Sequence, residues 1–218
     1  MHRTASLVLA AALAASVLPS AARAATTFSF EGFQDTELIL NAYAGGTGSM
    51  GSAINNSGVF FDPGFFAGND SDITSNVGFW GDTANEPDGM GSMYFANITG
   101  VAFGVINVPA GFNNQWSSFY SAKQSCQIDV WSGPNGSGLN LGSLTINPNA
   151  QTNAGDPNGT FTTWKLATIP FSGVAQSVTY TGPDYDVRFD RMDFNLVPAP
   201  GAASLALLGG LAALRRRR

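Results

Sequence analysis

Between residues 25 and 197 the apolar side chains recur with period two, in short runs broken by Gly, Asn, Pro and Ser. No stretch there sustains a helical repeat. A period of two sends alternate side chains to opposite faces of a strand, so the centre of the chain reads as an all-β domain. The clearest run is Cys126-Gln127-Ile128-Asp129-Val130-Trp131, with Cys126, Ile128 and Val130 on one face and Gln127, Asp129 and Trp131 on the other. A turn-rich stretch follows, Gly133-Pro134-Asn135-Gly136-Ser137-Gly138, and then Leu139 to Ile146. Leu139 and Leu141 keep one phase, Leu144 and Ile146 the other, which predicts a bulge at Gly142 and an antiparallel hairpin with the preceding run. Further strands are predicted over 27–30, 58–61, 92–97, 101–108, 116–121, 161–166, 177–181 and 187–195. Strands with one buried face need a second sheet to cover it, which predicts a β-sandwich of jelly-roll type. A parallel β-helix is the rival fold, and no fixed-period repeat supports it.

Charge narrows the chemistry. Of ten basic residues only Lys123, Lys165, Arg188 and Arg191 lie in this central segment, against all fifteen acidic ones, a net of −11. So acidic a surface repels phosphate backbones and argues against nucleic acid as a partner. The single His is His2 and the single Cys is Cys126. The centre therefore lacks the means for Ser-His-Asp or Cys-His catalysis and for a Cys/His zinc site. Cys126, in phase with Ile128 and Val130, reads as a small buried hydrophobe.

The two ends read as addresses. Residues 1–24 carry Arg3, an uncharged apolar run from Leu7 to Leu18, the breaker Pro19, and Ala22-Arg23-Ala24 in the small-x-small pattern that signal peptidase cuts. A mature chain starting at Ala25 is expected. Residues 198–218 begin with Pro198-Ala199-Pro200, continue with 13 uncharged residues from Ala202 to Leu214, and end in Arg215, Arg216, Arg217 and Arg218. As a helix the apolar part is about 20 Å long, short of the ~30 Å hydrocarbon core. Terminal arginines can snorkel and hold that end in the cytoplasm, so a short transmembrane helix is expected. The tail resembles the PEP-CTERM sorting signal of exported bacterial proteins, with Ala199 at the position of the Glu. That resemblance implies transient membrane anchoring, processing by an exosortase-like sorting enzyme, and release to the cell envelope, cell surface or extracellular matrix. An unprocessed tail anchor is the alternative.

Between these ends, the segments GFNNQWSSFYSAKQSCQIDVWSGPNGSGLNLGSL, FTTWKLATIPFSGVAQSVTY and VRFDRMDF resemble exported β-sandwich domains found upstream of such tails. The likeness spans residues 111–196 and implies a carbohydrate-module-like jelly roll over 25–197.

Three constellations remain as candidate chemistry. The central segment has three Glu, at 31, 37 and 86, and lacks the Glu-x-Asp-x-x-Glu alternation of β-sandwich glucanases, so a non-enzymatic role is expected. Acidic and amide-rich turns at 69–72 and 82–89, and Asp184, Asp186, Asp190 and Asp193, are candidates for a structural calcium ion, which takes oxygen ligands. Asp190 is the leading ligand, because the apolar phase changes between Phe189 and Met192. The carbohydrate-module resemblance implies a site joining first and last strands, where Glu31 would face Asp190. Among the flat aromatics Trp80, Tyr94, Trp116, Trp131 and Trp164, the sequence favours Trp80, in a polar loop, and Trp131, at the hairpin mouth, as sugar-stacking platforms. The combined expectation is an exported, non-enzymatic protein that binds or organises exopolysaccharide in a biofilm matrix. The alternatives are a passive matrix or coat protein, or a glycoside hydrolase.

Overall fold

The computed structural model describes residues 25–69, 83–97, 101–150 and 160–197. The expected signal peptide, the sorting tail and Trp80 lie outside them. The described residues form β1 (Thr26–Phe28), β2 (Phe60–Phe61), β3 (Phe65–Asn69), β4 (Gly91–Phe95), β5 (Val101–Ala122), β6 (Cys126–Trp131), β7 (Asn140–Ile146), β8 (Lys165–Pro183) and β9 (Val187–Leu196), with two short 3-10 turns. The molecule is all-β, as the period-two pattern predicts. Among the described residues no helix is long and apolar enough to cross a membrane.

The strands pair antiparallel in the order β3-β4-β9-β5-β8-β6-β7, with β1 added to β9 and β2 to β5. Two pairs of expected strands are each a single long one. The stretches 101–108 and 116–121 join into β5, and 161–166 and 177–181 join into β8, leaving Phe161 in an isolated bridge to Thr83. Pro109 and Gly111 lie between the two expected stretches of β5. In the structure they fall at register shifts between Asn107 and Phe112, where the ladder to β8 is interrupted and proline's missing donor costs nothing.

These bulges bend β5 so that its two halves serve different neighbours. The first half pairs with β2 and the end of β8; the second pairs with β9 and the start of β8. The sheet consequently folds over itself. Tyr180 on β8 has Gly104 and Ile128 as ladder partners, yet its ring meets Phe189 at 5.2 Å, Phe65 at 5.4 Å, Phe95 at 6.0 Å and Trp116 at 6.1 Å. Those rings come from strands across the fold, and the aromatic core lies between the two halves.

Strand β3 escapes sequence reading because both its faces are covered. Phe65 points into the core while Phe66 stacks on Tyr94 at 5.4 Å and 10°. That stack continues outward through the buried Arg188, whose guanidinium lies 4.2 Å from the Tyr94 ring and 4.7 Å from that of Phe161. The β6–β7 hairpin follows its predicted phase, with Cys126, Ile128 and Val130 buried. Its bulge falls beside the expected glycine: Val130 faces Gly142 and Trp131 faces Asn140, leaving Leu141 unmatched.

Candidate functional site

The pairing of β1 with β9 sets Phe28 opposite Met192, and continuing that register brings the turn after β1 to Asp190. Here Glu31 and Asp190 enter one junction, clasped by the loop before β4. The Asp88 amide donates to Asp190 Oδ2 at 2.9 Å, and the Met90 amide donates to Glu31 Oε1 at 2.8 Å, as does that of Gly91. A side chain at Gly89 would be driven into the Glu31 carboxylate, with Cβ only 2.3 Å from Oε1. Asp190 also accepts from the Arg191 amide at 2.6 Å. Burial pushes the Asp190 carboxyl up to about 8, and the negative charges of Asp88 and Glu31 add to the push against its backbone hydrogen bonds.

The donors at this junction are oxygens, which suits a hard cation such as Ca²⁺ and not a softer metal. Among the described residues no three His, Cys, Asp or Glu side chains gather closely enough to hold a metal by themselves. A cation here would have to complete its shell with backbone carbonyls or water. Glu37 is engaged elsewhere. Wholly buried, it accepts from the amides of Gln34, Met50 and Ser52, each at 3.0 Å, and from the Ser52 hydroxyl. Burial raises its pKa, but those four bonds outweigh it and leave the carboxyl below its ordinary range. The group ties down a loop. Asp184 and Asp186, in the turn before β9, likewise accept from the Asn97 amide and the Gln124 side chain, and Asp193 accepts from the Thr27 hydroxyl across the β1–β9 ladder.

The aromatic candidates separate clearly. Trp116 and Tyr94 are core residues. Trp164 donates its indole N–H to the Ala84 carbonyl at 2.9 Å. Trp131 is half-buried on the outer face, donates to Thr179 Oγ1 at 2.9 Å, and lies beneath the loop that links β6 to β7. Its role in the structure is to support that loop.

The loop itself bounds a hollow of about 400 Å³ lined by Phe60, Asn107, Pro109, Pro134, Asn135 and Gln176. In a domain of net charge −11 this lining contains no ionisable group. Its geometry is held by reciprocal bonds: the Asn107 side-chain amide donates to Asn135 Oδ1 at 2.9 Å, and the Asn135 backbone amide donates to Asn107 Oδ1 at 2.8 Å. Asn135 takes φ 55°, followed by Gly136 at φ 67°, whose amide donates to Ser177 Oγ at 3.0 Å. A Cβ at Gly136 would come within 2.8 Å of Thr179 Cγ2, so glycine lets the loop settle on β8. Gln176 Nε2 donates to the Pro109 carbonyl at 3.2 Å. The Asn135 amide nitrogen and the Gln176 carbonyl oxygen thereby sit on anchored side chains beside a part-exposed phenyl ring.

Sequence reasoning found the Pro134-Asn135-Gly136 turn and missed Phe60, Asn107 and Gln176. These lie on three different strands or strand ends, and only the β2–β5–β8 pairing brings them together.

No family model matches the chain and no curated protein does. Among solved structures it is similar to the K2 cleaved adhesin domain of Lys-gingipain, at 11% identity over 78% of this chain and 99% of that one, with a TM-score of 0.49. A family 29 carbohydrate-binding module is similar at 7% identity over 48% of this chain and 69% of that one, TM-score 0.34. The module CsCBM6-3 from Clostridium stercorarium, in complex with cellobiose, is similar at 19% identity over 51% of this chain and 78% of that one, TM-score 0.31. These likenesses are too distant to carry a functional reading, which rests on the hollow.

Proposed function

We propose that this chain is an exported, non-enzymatic β-sandwich of jelly-roll type that binds neutral polysaccharide at the cell surface or in the extracellular matrix. The carrying observation is the uncharged hollow of Phe60, Asn107, Pro109, Pro134, Asn135 and Gln176. A pyranose presents apolar C–H faces and hydroxyl edges. A phenyl ring and two prolines suit the first, and planar amides with one donor and one acceptor end suit the second. Preset side chains lose little rotamer freedom on binding, which favours affinity in an open site. A non-enzymatic role is supported by the carboxylates, of which Glu37 accepts backbone amides within its own loop and Glu31 accepts those of Met90 and Gly91. Delivery rests on the two ends of the chain: signal peptidase would act after Ala24, and an exosortase-like enzyme would act on the segment from Pro198 to Arg218. Calcium at the Glu31–Asp190 junction belongs to this reading as a structural ion that neutralises crowded carboxylates.

The test is a glycan array probed with the full-length protein and with Asn135→Ala. Binding to at least one neutral polysaccharide, weakened about tenfold or more by the substitution, is expected. Absence of any glycan binding would overturn the reading in favour of a passive matrix or coat protein.

A further inference from the structure

A second hollow, of about 320 Å³, lies on the same outer surface, lined by Asp62, Pro63, Gly64, Phe66, Ala96, Asn97 and Phe103. Its relation to the first follows from the ladder. Phe60 pairs with Asn107 and Phe61 with Ile106; the Asp62 amide then donates to the Val105 carbonyl at 3.1 Å, and the Val105 amide donates to Asp62 Oδ2 at 3.1 Å. Along β5 the inner phase is Gly104 and Ile106; the opposite phase holds Phe103, exposed, Asn107, half-buried, and between them Val105, itself buried. That phase runs from one hollow to the other, a distance of about 13 Å at strand rise.

This strip has two walls. On one side stand Phe60, Asp62 and Pro63, where the chain passes from β2 towards β3. On the other stands the Pro134-Asn135-Gly136 turn, seated on β8 over Ser177 and Thr179, the ladder partners of Asn107 and Val105. Apolar rings are exposed towards both ends, Phe60 at 39% and Phe103 at 52%. The far end also holds an unmet acceptor. Asp62 Oδ1 is buried and has no hydrogen-bond partner among the described residues. A hydroxyl can donate to it, whereas an anionic group would be repelled.

We propose that the two hollows are the ends of one binding track, laid along the outer face of β5, for an extended segment of a neutral polysaccharide. The inference rests on the polysaccharide reading of the first hollow and deepens it: the ligand is an internal run of a polymer and not a chain end or a single sugar. The Asn135 end anchors one unit through amides and Phe60. The Asp62 end takes a later unit through Phe103 and one hydroxyl donated to the carboxylate.

Titration calorimetry of the full-length protein with neutral cello-, xylo- and manno-oligosaccharides, disaccharide through hexasaccharide, tests this, with oligogalacturonates as the charged control. In at least one neutral series affinity should rise about tenfold or more with length, while the charged series binds at least tenfold more weakly. Phe103→Ala removes an exposed ring, so its folding is checked simply by circular dichroism. It should abolish the gain with length and leave disaccharide affinity unchanged, whereas Asn135→Ala should weaken both. Disaccharide binding sensitive to Asn135→Ala, with no gain on lengthening or no effect of Phe103→Ala, would overturn the track and leave the single hollow standing. Equal binding of the charged series would overturn the neutral class. Failure of every oligosaccharide and of the glycan array would overturn both readings together.

Discussion

Asp190 is a fully buried carboxyl sharing its surroundings with Glu31 and Asp88, and its pKa is pushed from 3.8 to about 8. The native state therefore binds this proton more tightly than the unfolded chain does. The stabilisation that protonation provides is complete below about pH 4 and is lost as pH rises through about 8. In EDTA, the melting midpoint of the wild type should fall relative to that of Asp190→Asn as pH is raised across this window. Millimolar Ca²⁺ at pH 8 should restore the wild type and leave the variant unmoved, because the cation replaces the proton as the neutralising charge. An unchanged wild-type midpoint with calcium would remove the ion from the junction. Arg188 illustrates the opposite solution for a buried charge: its planar cation lies against two rings, an arrangement open to guanidinium and less so to an ammonium.

At the scale of elements, the loop preceding β2 is held by backbone bonds to β3 and, beside them, by the Glu37 carboxylate and its four donors. Glu37→Gln keeps the size but turns one acceptor oxygen into a donor facing other donors. It should cost about 2 kcal/mol of unfolding free energy, measured by urea denaturation. Nothing in the residues around Glu37 announces this role, because its partners are backbone amides, which any sequence supplies. The same distinction governs what was legible elsewhere. The β6–β7 hairpin could be read from its alternation because one face is buried and the other wet. β3 could not, because Phe65 and Phe66 are covered on opposite sides. The stretches 101–108 and 116–121 read as two strands where one bulged strand runs through, since local chemistry does not say what the chain does after a bulge. The meeting of Glu31 with Asp190 was anticipated from resemblance. The hollow of Phe60, Asn107 and Gln176 was not, because it depends on the strand order in space.

For the whole molecule, the folded sheet and the chain ends make separate claims. The period-two pattern anticipates an all-β domain, and the sheet bears that out. The sorting tail rests on Pro198, Ala199, Pro200 and the four terminal arginines, outside the described residues, and needs its own measurement. Intact mass spectrometry of the protein recovered from the producing cells should give a chain that begins at Ala25 and has lost Arg215, Arg216, Arg217 and Arg218. A mass retaining Met1 through Arg218 would refute both processing steps. The domain's acidity fits a neutral polymer better than an anionic one, since charge of one sign repels its like at low ionic strength.

The placement of β9 has a mechanical consequence. It lies inside the sheet, bonded to β4, β5 and β1, and Val197 just beyond it donates its amide to the Gly111 carbonyl at 2.9 Å. A tug on the chain after Val197 runs lengthwise along a strand gripped on both flanks. Its hydrogen bonds must yield together in shear, whereas an edge strand would peel away rung by rung. A polymer held on the first half of β5 and a tether attached after β9 would thus load each other through the bulge between Asn107 and Phe112, beyond which β5 pairs with β9.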